Sequence, residues 1–115
     1  MNGYHNRILY IDLSSESFKI EATPENLLLE YIGGKGLATS ILLERNPPGV
    51  DPLSPENHLV IATGPFCGER LWGGSRYGVY TKSPLTGLYS ESYSGGKVPE
   101  AIDSTGFDAI VLTRK

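Results

Sequence analysis

Gly73–Gly96 reads G-G-S-R-Y-G-V-Y-T-K-S-P-L-T-G-L-Y-S-E-S-Y-S-G-G, and its reading decides the architecture. Glycine pairs open and close it. Arg76–Lys82 and Gly87–Tyr93 are rich in β-formers, so each is predicted as a strand. Ser83-Pro84-Leu85-Thr86-Gly87 is the turn between them, with proline presetting φ and glycine where the strand resumes. The stretch concentrates Arg76, Lys82, the hydroxyls of Thr81, Ser83, Thr86, Ser90, Ser92 and Ser94, and the rings of Tyr77, Tyr80, Tyr89 and Tyr93. Glycine lets backbone approach a ligand closely. Arginine grips an anion bidentately. The expectation is a hairpin that lies against something large, polar and phosphorylated.

Upstream, Arg7–Asp12 and Ser17–Ala22 make a predicted hairpin around Ser14-Ser15-Glu16-Ser17, with Phe18, Ile20 and Ala22 on one face. Thr23-Pro24-Glu25 reads as a helix start with Thr23 as N-cap, and Gly33-Gly34 as its stop. Gly36–Arg45 is a second helix, ended by Asn46-Pro47-Pro48-Gly49. Asp51–Asn57 reads as a plain proline-stiffened connector, and His58–Thr63 as a strand buried on both faces. Downstream, Gly95-Gly96 admits a helix over about Val98–Thr105, capped by Gly106, and Phe107–Thr113 is the last strand. The predicted class is α+β: a mainly antiparallel or mixed sheet of about six strands with about three helices, without βαβα alternation.

Composition bounds the function. A chain of 115 residues reads as a single domain over 1–115, or as one half of a larger one, and it buries roughly two-thirds of its unfolded surface. A net charge of −3 supplies no basic field for nucleic acid. No apolar run reaches the ~20 residues of a membrane span, and Met1–Arg7 has no apolar signal core behind it. The single cysteine allows no internal disulfide. These features together predict a cytoplasmic protein with neither nucleic acid nor membrane as partner.

No catalytic set is visible. His5 sits in a loose N-terminal segment and His58 starts a strand, each without a nucleophile motif nearby. Cys67 reads as a small apolar residue rather than a thiolate. One cysteine cannot build an iron–sulfur cluster, and no Zn²⁺ ligand set shows. Gly33-Gly34-Lys35-Gly36 fails the phosphate-loop pattern, because glycine follows the lysine. It reads either as an anion-binding helix start or as a helix–helix corner with a solvated lysine. Arg76 follows Gly74 and Ser75, whose amides also suit an anion. The ligand-facing reading of Arg76 is preferred over a surface arginine paired with a glutamate. The tyrosines read mostly as cross-strand pairs.

Seven motifs occur in order: G-G-K-G-L-A at 33–38, D-P-L-S-P-E-N at 51–57, A-T-G-P at 62–65, G-G-S-R-Y at 73–77, T-K-S-P-L-T-G at 81–87, S-G-G at 94–96 and G-F-D-A-I-V at 106–111. In order and spacing the set resembles the N-terminal domain of the aldehyde ferredoxin oxidoreductase family. The resemblance implies the first half of a base domain made of two sheets related by a pseudo-twofold axis. It implies a tungsten or molybdenum bis-pterin cofactor held against that base. It implies that Arg76 lies between the pterin and a [4Fe–4S] cluster whose ligands belong to later domains. The cofactor-facing residues implied are Gly74, Ser75, Arg76, Tyr93, Ser94, Gly95 and Gly96. Tyr93 stands where the family usually has asparagine, and its main-chain carbonyl is implied to help hold a Mg²⁺ that bridges pterin phosphates.

The same resemblance implies an oxidoreductase that takes aldehydes to carboxylic acids, with electrons passing through the cluster to ferredoxin. The chain is then one part of a longer enzyme, not catalytic alone, with the missing C-terminal domains as its partner. Apolar surface left for those domains predicts self-association, including a homodimer. The alternative is a stand-alone pterin or anion binder, or a small docking subunit without redox activity. Cysteine-rich sequence continuing in frame past Lys115 separates the two.

Overall fold

The structure is a computed structural model and describes residues 1–114. Its strands are β1 (Arg7–Asp12), β2 (Ser17–Ala22), β3 (His58–Thr63), β4 (Tyr77–Lys82), β5 (Tyr89–Ser94) and β6 (Ala109–Thr113). Its helices are α1 (Glu25–Tyr31), α2 (Gly34–Arg45) and α3 (Val98–Ser104). One six-stranded sheet runs in the order β2-β1-β6-β3-β4-β5. Every pairing is antiparallel except β1 with β6, which is parallel. The α+β reading with a mixed sheet therefore holds. The chain's last strand sits in the middle of the sheet, between the first strand and the third.

Two apolar periods meet in the core. On the strands, alternation sends Ile8, Val60, Ala62, Tyr80, Ala109 and Val111 to one face. On the helices, Leu28 of α1 and Leu37, Ala38, Ile41 and Leu42 of α2 meet them at helical spacing. Each large side chain buried there contributes about 1.5–3 kcal/mol.

Register fixes the opposite face. Leu9 pairs with Ile20 and Ile110, Ile11 with Phe18 and Leu112, and Leu59 and Ile61 with Leu112 and Ile110. Val79 extends the row beside Ile61. Leu59 and Ile61 are only half-buried, while Phe18 is 71% exposed and Ile20 47%. So β3 is buried on one face rather than both. An aliphatic stripe across β2, β1, β6, β3 and β4 stands on the sheet face away from α1 and α2.

Side-chain hydrogen bonds correct three local readings. Thr23 is not the N-cap of α1; Pro24 holds that position, and the buried Thr23 hydroxyl donates to Asp108 Oδ2 at 2.8 Å. Asp108, itself buried, also accepts from the His5 amide at 2.8 Å, and His5 Nε2 lies 3.0 Å from Asp103. The N-terminal segment is thus tied down rather than loose. The loop over Asp51–Asn57 is more than a connector. Asn57 Nδ2 lies within hydrogen-bond reach of Pro52 O, Thr81 Oγ1 and Lys82 O, and Asn57 Oδ1 accepts from Asn46.

Asn46 Oδ1 in turn accepts from the His58 amide and from His58 Nδ1, at 3.0 and 2.7 Å. That bond fixes the proton on Nδ1 of the neutral ring. Burial first, then the Arg45 charge, lowers the His58 pKa below 6.5, with Arg114 adding to the effect. The folded chain therefore resists a proton that the unfolded chain accepts. Stability contributed by neutral His58 is present above about pH 6.5 and is lost as pH falls toward its folded pKa. Urea midpoints at pH 7 and pH 5 should differ more for the parent than for His58→Gln; equal differences would remove His58 as the cause.

Candidate functional site

The β4–β5 register brings the two glycine-rich ends of the hairpin together, with Tyr77 opposite Ser94. The Ser75 hydroxyl donates to Gly96 O at 2.7 Å. The Arg76 guanidinium lies on Gly95 so closely that a Cβ there would overlap Nη1. Gly74 packs on Phe66, where an added Cβ would come within 2.7 Å of the Phe66 carbonyl. Gly73 and Gly96 have φ of +80° and +81° with open space above them. Gly74, Ser75, Arg76, Ser94, Gly95 and Gly96 thus form one patch at one end of the sheet.

Arg76 is exposed and makes no ion pair among the described residues, so the glutamate-paired alternative is not what the fold contains. An exposed, unpaired guanidinium beside a glycine floor suits an anionic group. A Cβ added at Gly73 or Gly96 would meet nothing within 4 Å, so neither glycine is crowded on the side facing out.

Tyr93 lies at the rim of this patch. The Ser83 amide donates to Leu88 O at 2.8 Å, which marks 83/88 as a hydrogen-bonded pair. Alternation along the ladder makes Gly78/Tyr93 a pair that shares no bond. Since β5 is an edge strand, the Tyr93 carbonyl points away from the sheet, free to accept a proton donor or a cation. Its ring packs edge-on against buried Tyr80, at 5.8 Å and 82°, and its hydroxyl donates to Glu91 at 3.1 Å. Tyr80 also lies 6.5 Å from Tyr89, so the cross-strand reading holds for this cluster, as diagonal neighbours. Burial, then the Tyr93 hydroxyl, pushes the Tyr80 phenol well above its usual range.

The other candidates resolve differently. Gly36 fits under Tyr31, where a Cβ would meet the Tyr31 carbonyl oxygen at 2.9 Å, so G-G-K-G is a helix–helix corner. Its lysine is not simply solvated: Lys35 Nζ lies 2.8 Å from Glu91. Each charge holds the other, with Lys35 shifted up and Glu91 down. Cys67 is buried, and burial followed by the Asp103 charge pushes its thiol up, as a small apolar residue requires. No group of three metal-ligating side chains occurs among the described residues. Among the described residues, no helix is long and apolar enough to cross a membrane.

One feature went unread in the sequence. The loop before Arg76 presents Phe66, Leu71 and Trp72 to solvent, with Trp72 fully exposed. Only the adjacent glycine pair hinted that this loop would turn tightly enough to do so.

Comparison with known proteins places the site in context. Residues 8–115 match the family described as "Aldehyde ferredoxin oxidoreductase, N-terminal domain". The tungsten-containing aldehyde ferredoxin oxidoreductase of Pyrococcus furiosus is 44% identical over all of this chain, which spans 19% of that protein. The enzyme of the same name from Thermococcus kodakarensis is 41% identical over 97% of the chain and 18% of its own length. Among solved structures, the active-site complex BamBC of benzoyl coenzyme A reductase with 1,5-dienoyl-CoA superposes with a TM-score of 0.94 at 36% identity. That match covers 98% of this chain and 17% of the other. The chain therefore spans about one-fifth of the length of such relatives, and it belongs to the aldehyde ferredoxin oxidoreductase family as an N-terminal domain.

Proposed function

We propose that this chain is the cofactor-cradling first part of a longer oxidoreductase built on a tungsten or molybdenum bis-pterin. The observation that carries the reading is the unpaired Arg76 guanidinium laid on Gly95, beside the open floor of Gly73 and Gly96. Arg76 holds a cofactor phosphate, assisted by the backbone of Gly74, Ser75, Ser94, Gly95 and Gly96. The outward carbonyl of Tyr93 would supply an oxygen ligand to a Mg²⁺ ion. The bound metallopterin supplies the two-electron oxidation of an aldehyde to a carboxylic acid. A [4Fe–4S] cluster held by domains outside this chain would supply the electron path to ferredoxin. The residues of this chain bind, orient and neutralise; they move no proton in the reaction, and the 115-residue chain alone oxidises no aldehyde.

Calorimetry with a pterin monophosphate tests the cradle. A charge-assisted hydrogen bond contributes about 1.5–3 kcal/mol. Arg76→Gln should therefore weaken binding about tenfold or more. Unchanged affinity would remove Arg76 from the site. Aldehyde-dependent dye reduction by the purified chain would overturn its assignment as a non-catalytic part.

The aliphatic stripe from Phe18 to Val79 is where the remaining domains pack, in a base of two sheets about a pseudo-twofold axis. Left uncovered, it drives the isolated chain into a homodimer. Light scattering at high concentration should give a mass above the monomer, and Ile20→Lys should restore the monomer. A parent that stays monomeric would contradict this.

A further inference from the structure

The loop from Gly64 to Arg76 is a built object. Its backbone closes on itself from the Cys67 amide to Gly64 O, from Glu69 to Phe66 O, from Gly74 to Leu71 O and from Arg76 to Gly74 O, at 3.0–3.3 Å. Buried Cys67 anchors its inner side. Leu71–Gly74 is a tight turn with Gly73 at φ +80°, the sign a type II turn demands at its third position. Trp72 occupies the second position, at the outer corner. A tryptophan fully in water on an ordered turn is costly unless something covers it. Four residues on stands Arg76, whose guanidinium is in no ion pair among the described residues, and a Cβ added at the intervening Gly73 would meet nothing within 4 Å. Apolar platform and anion grip share one short loop.

We propose that Trp72 is a stacking platform for a flat heteroaromatic ring that carries an anionic tail, with the tail seated at Ser75 and Arg76. The inference rests on the cofactor reading above and gives that site a ring-recognising half. A π-face accepts any flat ring. The guanidinium donates to any phosphate, so together they select ligands that have both. A protein surface is the weaker occupant: it does not require an unpaired cation with a bare glycine floor on the same short loop as an exposed indole.

Trp72 is the only tryptophan, so its fluorescence reports this loop alone. The intact 115-residue chain is titrated with a pterin monophosphate, with unphosphorylated biopterin and with inorganic phosphate, by fluorescence and by calorimetry. Stacking of one ring on one aromatic predicts a loss of about tenfold in pterin-monophosphate affinity for Trp72→Ala. Trp72→Tyr should recover most of that loss. Inorganic phosphate should bind Trp72→Ala as it binds the parent, and lose affinity in Arg76→Gln. Full exposure of the side chain keeps these variants folded. If Trp72→Ala binds the pterin monophosphate as tightly as the parent while Arg76→Gln does not, the platform is wrong and the cofactor cradle stands. If the parent binds no pterin monophosphate, both fall. If Trp72→Ala changes only self-association, Trp72 contacts protein and the platform is overturned.

Discussion

Asp108→Ala lowers the stability of the folded chain by about 4 kcal/mol. The carboxylate is buried, and its two oxygens each accept a hydrogen bond of 2.8 Å, from the His5 amide and from the Thr23 hydroxyl. Hydrogen bonds to a charged group contribute about 1.5–3 kcal/mol each. The alanine also leaves the Thr23 hydroxyl buried without an acceptor, and Thr23 is only 6% exposed. Relief of the buried charge offsets part of this, but removing one member of a satisfied buried set is the costly direction. For a domain of this size the loss corresponds to a fall in Tm of about 20 °C. Asp108→Asn keeps one acceptor and should fall between the two. A midpoint for Asp108→Ala within a few degrees of the parent would mean that the N-terminal segment, the entry to α1 and β6 are not joined at this point.

Gly78→Ala is the second large effect, a loss of about 3 kcal/mol. The chain conformation at Gly78 suits any residue; the obstacle is space. A Cβ there would overlap the Tyr80 hydroxyl and lie 2.7 Å from its Cε2. Tyr80 is 1% exposed and flanked by Tyr89 and Tyr93, so its ring has little freedom to withdraw. Overpacking of this kind costs about 1–3 kcal/mol, and a rigid neighbour puts it at the upper end. Tyr80→Phe removes the oxygen but not the ring carbon beside it. The double variant should therefore recover part of the loss and not all of it. Additive losses in chemical unfolding would show that the two side chains do not compete for that volume. Because Gly78 faces Tyr93, the variant should also weaken ligand binding at the rim of the patch.

Local chemistry in the sequence carried most of the elements. Runs rich in β-formers or apolar residues located all six strands, and proline and glycine placed the ends of the helices to within two residues. What escaped was whatever depends on distant partners. The parallel pairing of Ile8 with Ala109 joins residues a hundred positions apart, and no turn announces it. Thr23 looked like a helix cap because its local context allowed one; Asp108, far along the chain, outbid the helix for its hydroxyl. Leu59–Ala62 is apolar throughout, yet Leu59 and Ile61 stay half-buried while Val60 and Ala62 are buried, since an apolar run does not say which neighbours are present. The site divides the same way. Glycines 73, 74, 95 and 96 and Arg76 could be read as a ligand patch from residue type. The outward direction of the Tyr93 carbonyl follows only from the register of β4 and β5. The turn that lifts Trp72 into solvent depends on backbone bonds that residue types alone do not specify.

In the proposed function, the floor of the hairpin positions a metallopterin through Arg76. Gly95→Ala tests it most directly, because the added methyl group displaces the guanidinium without removing any charge. The natural protein, purified without oxygen, is assayed for tungsten, molybdenum and pterin per polypeptide in parent and variant, with circular dichroism to confirm folding. The parent should hold metal and pterin in fixed proportion, and folded Gly95→Ala should lose most of both. A folded Gly95→Ala protein with undiminished metal and pterin would contradict the account.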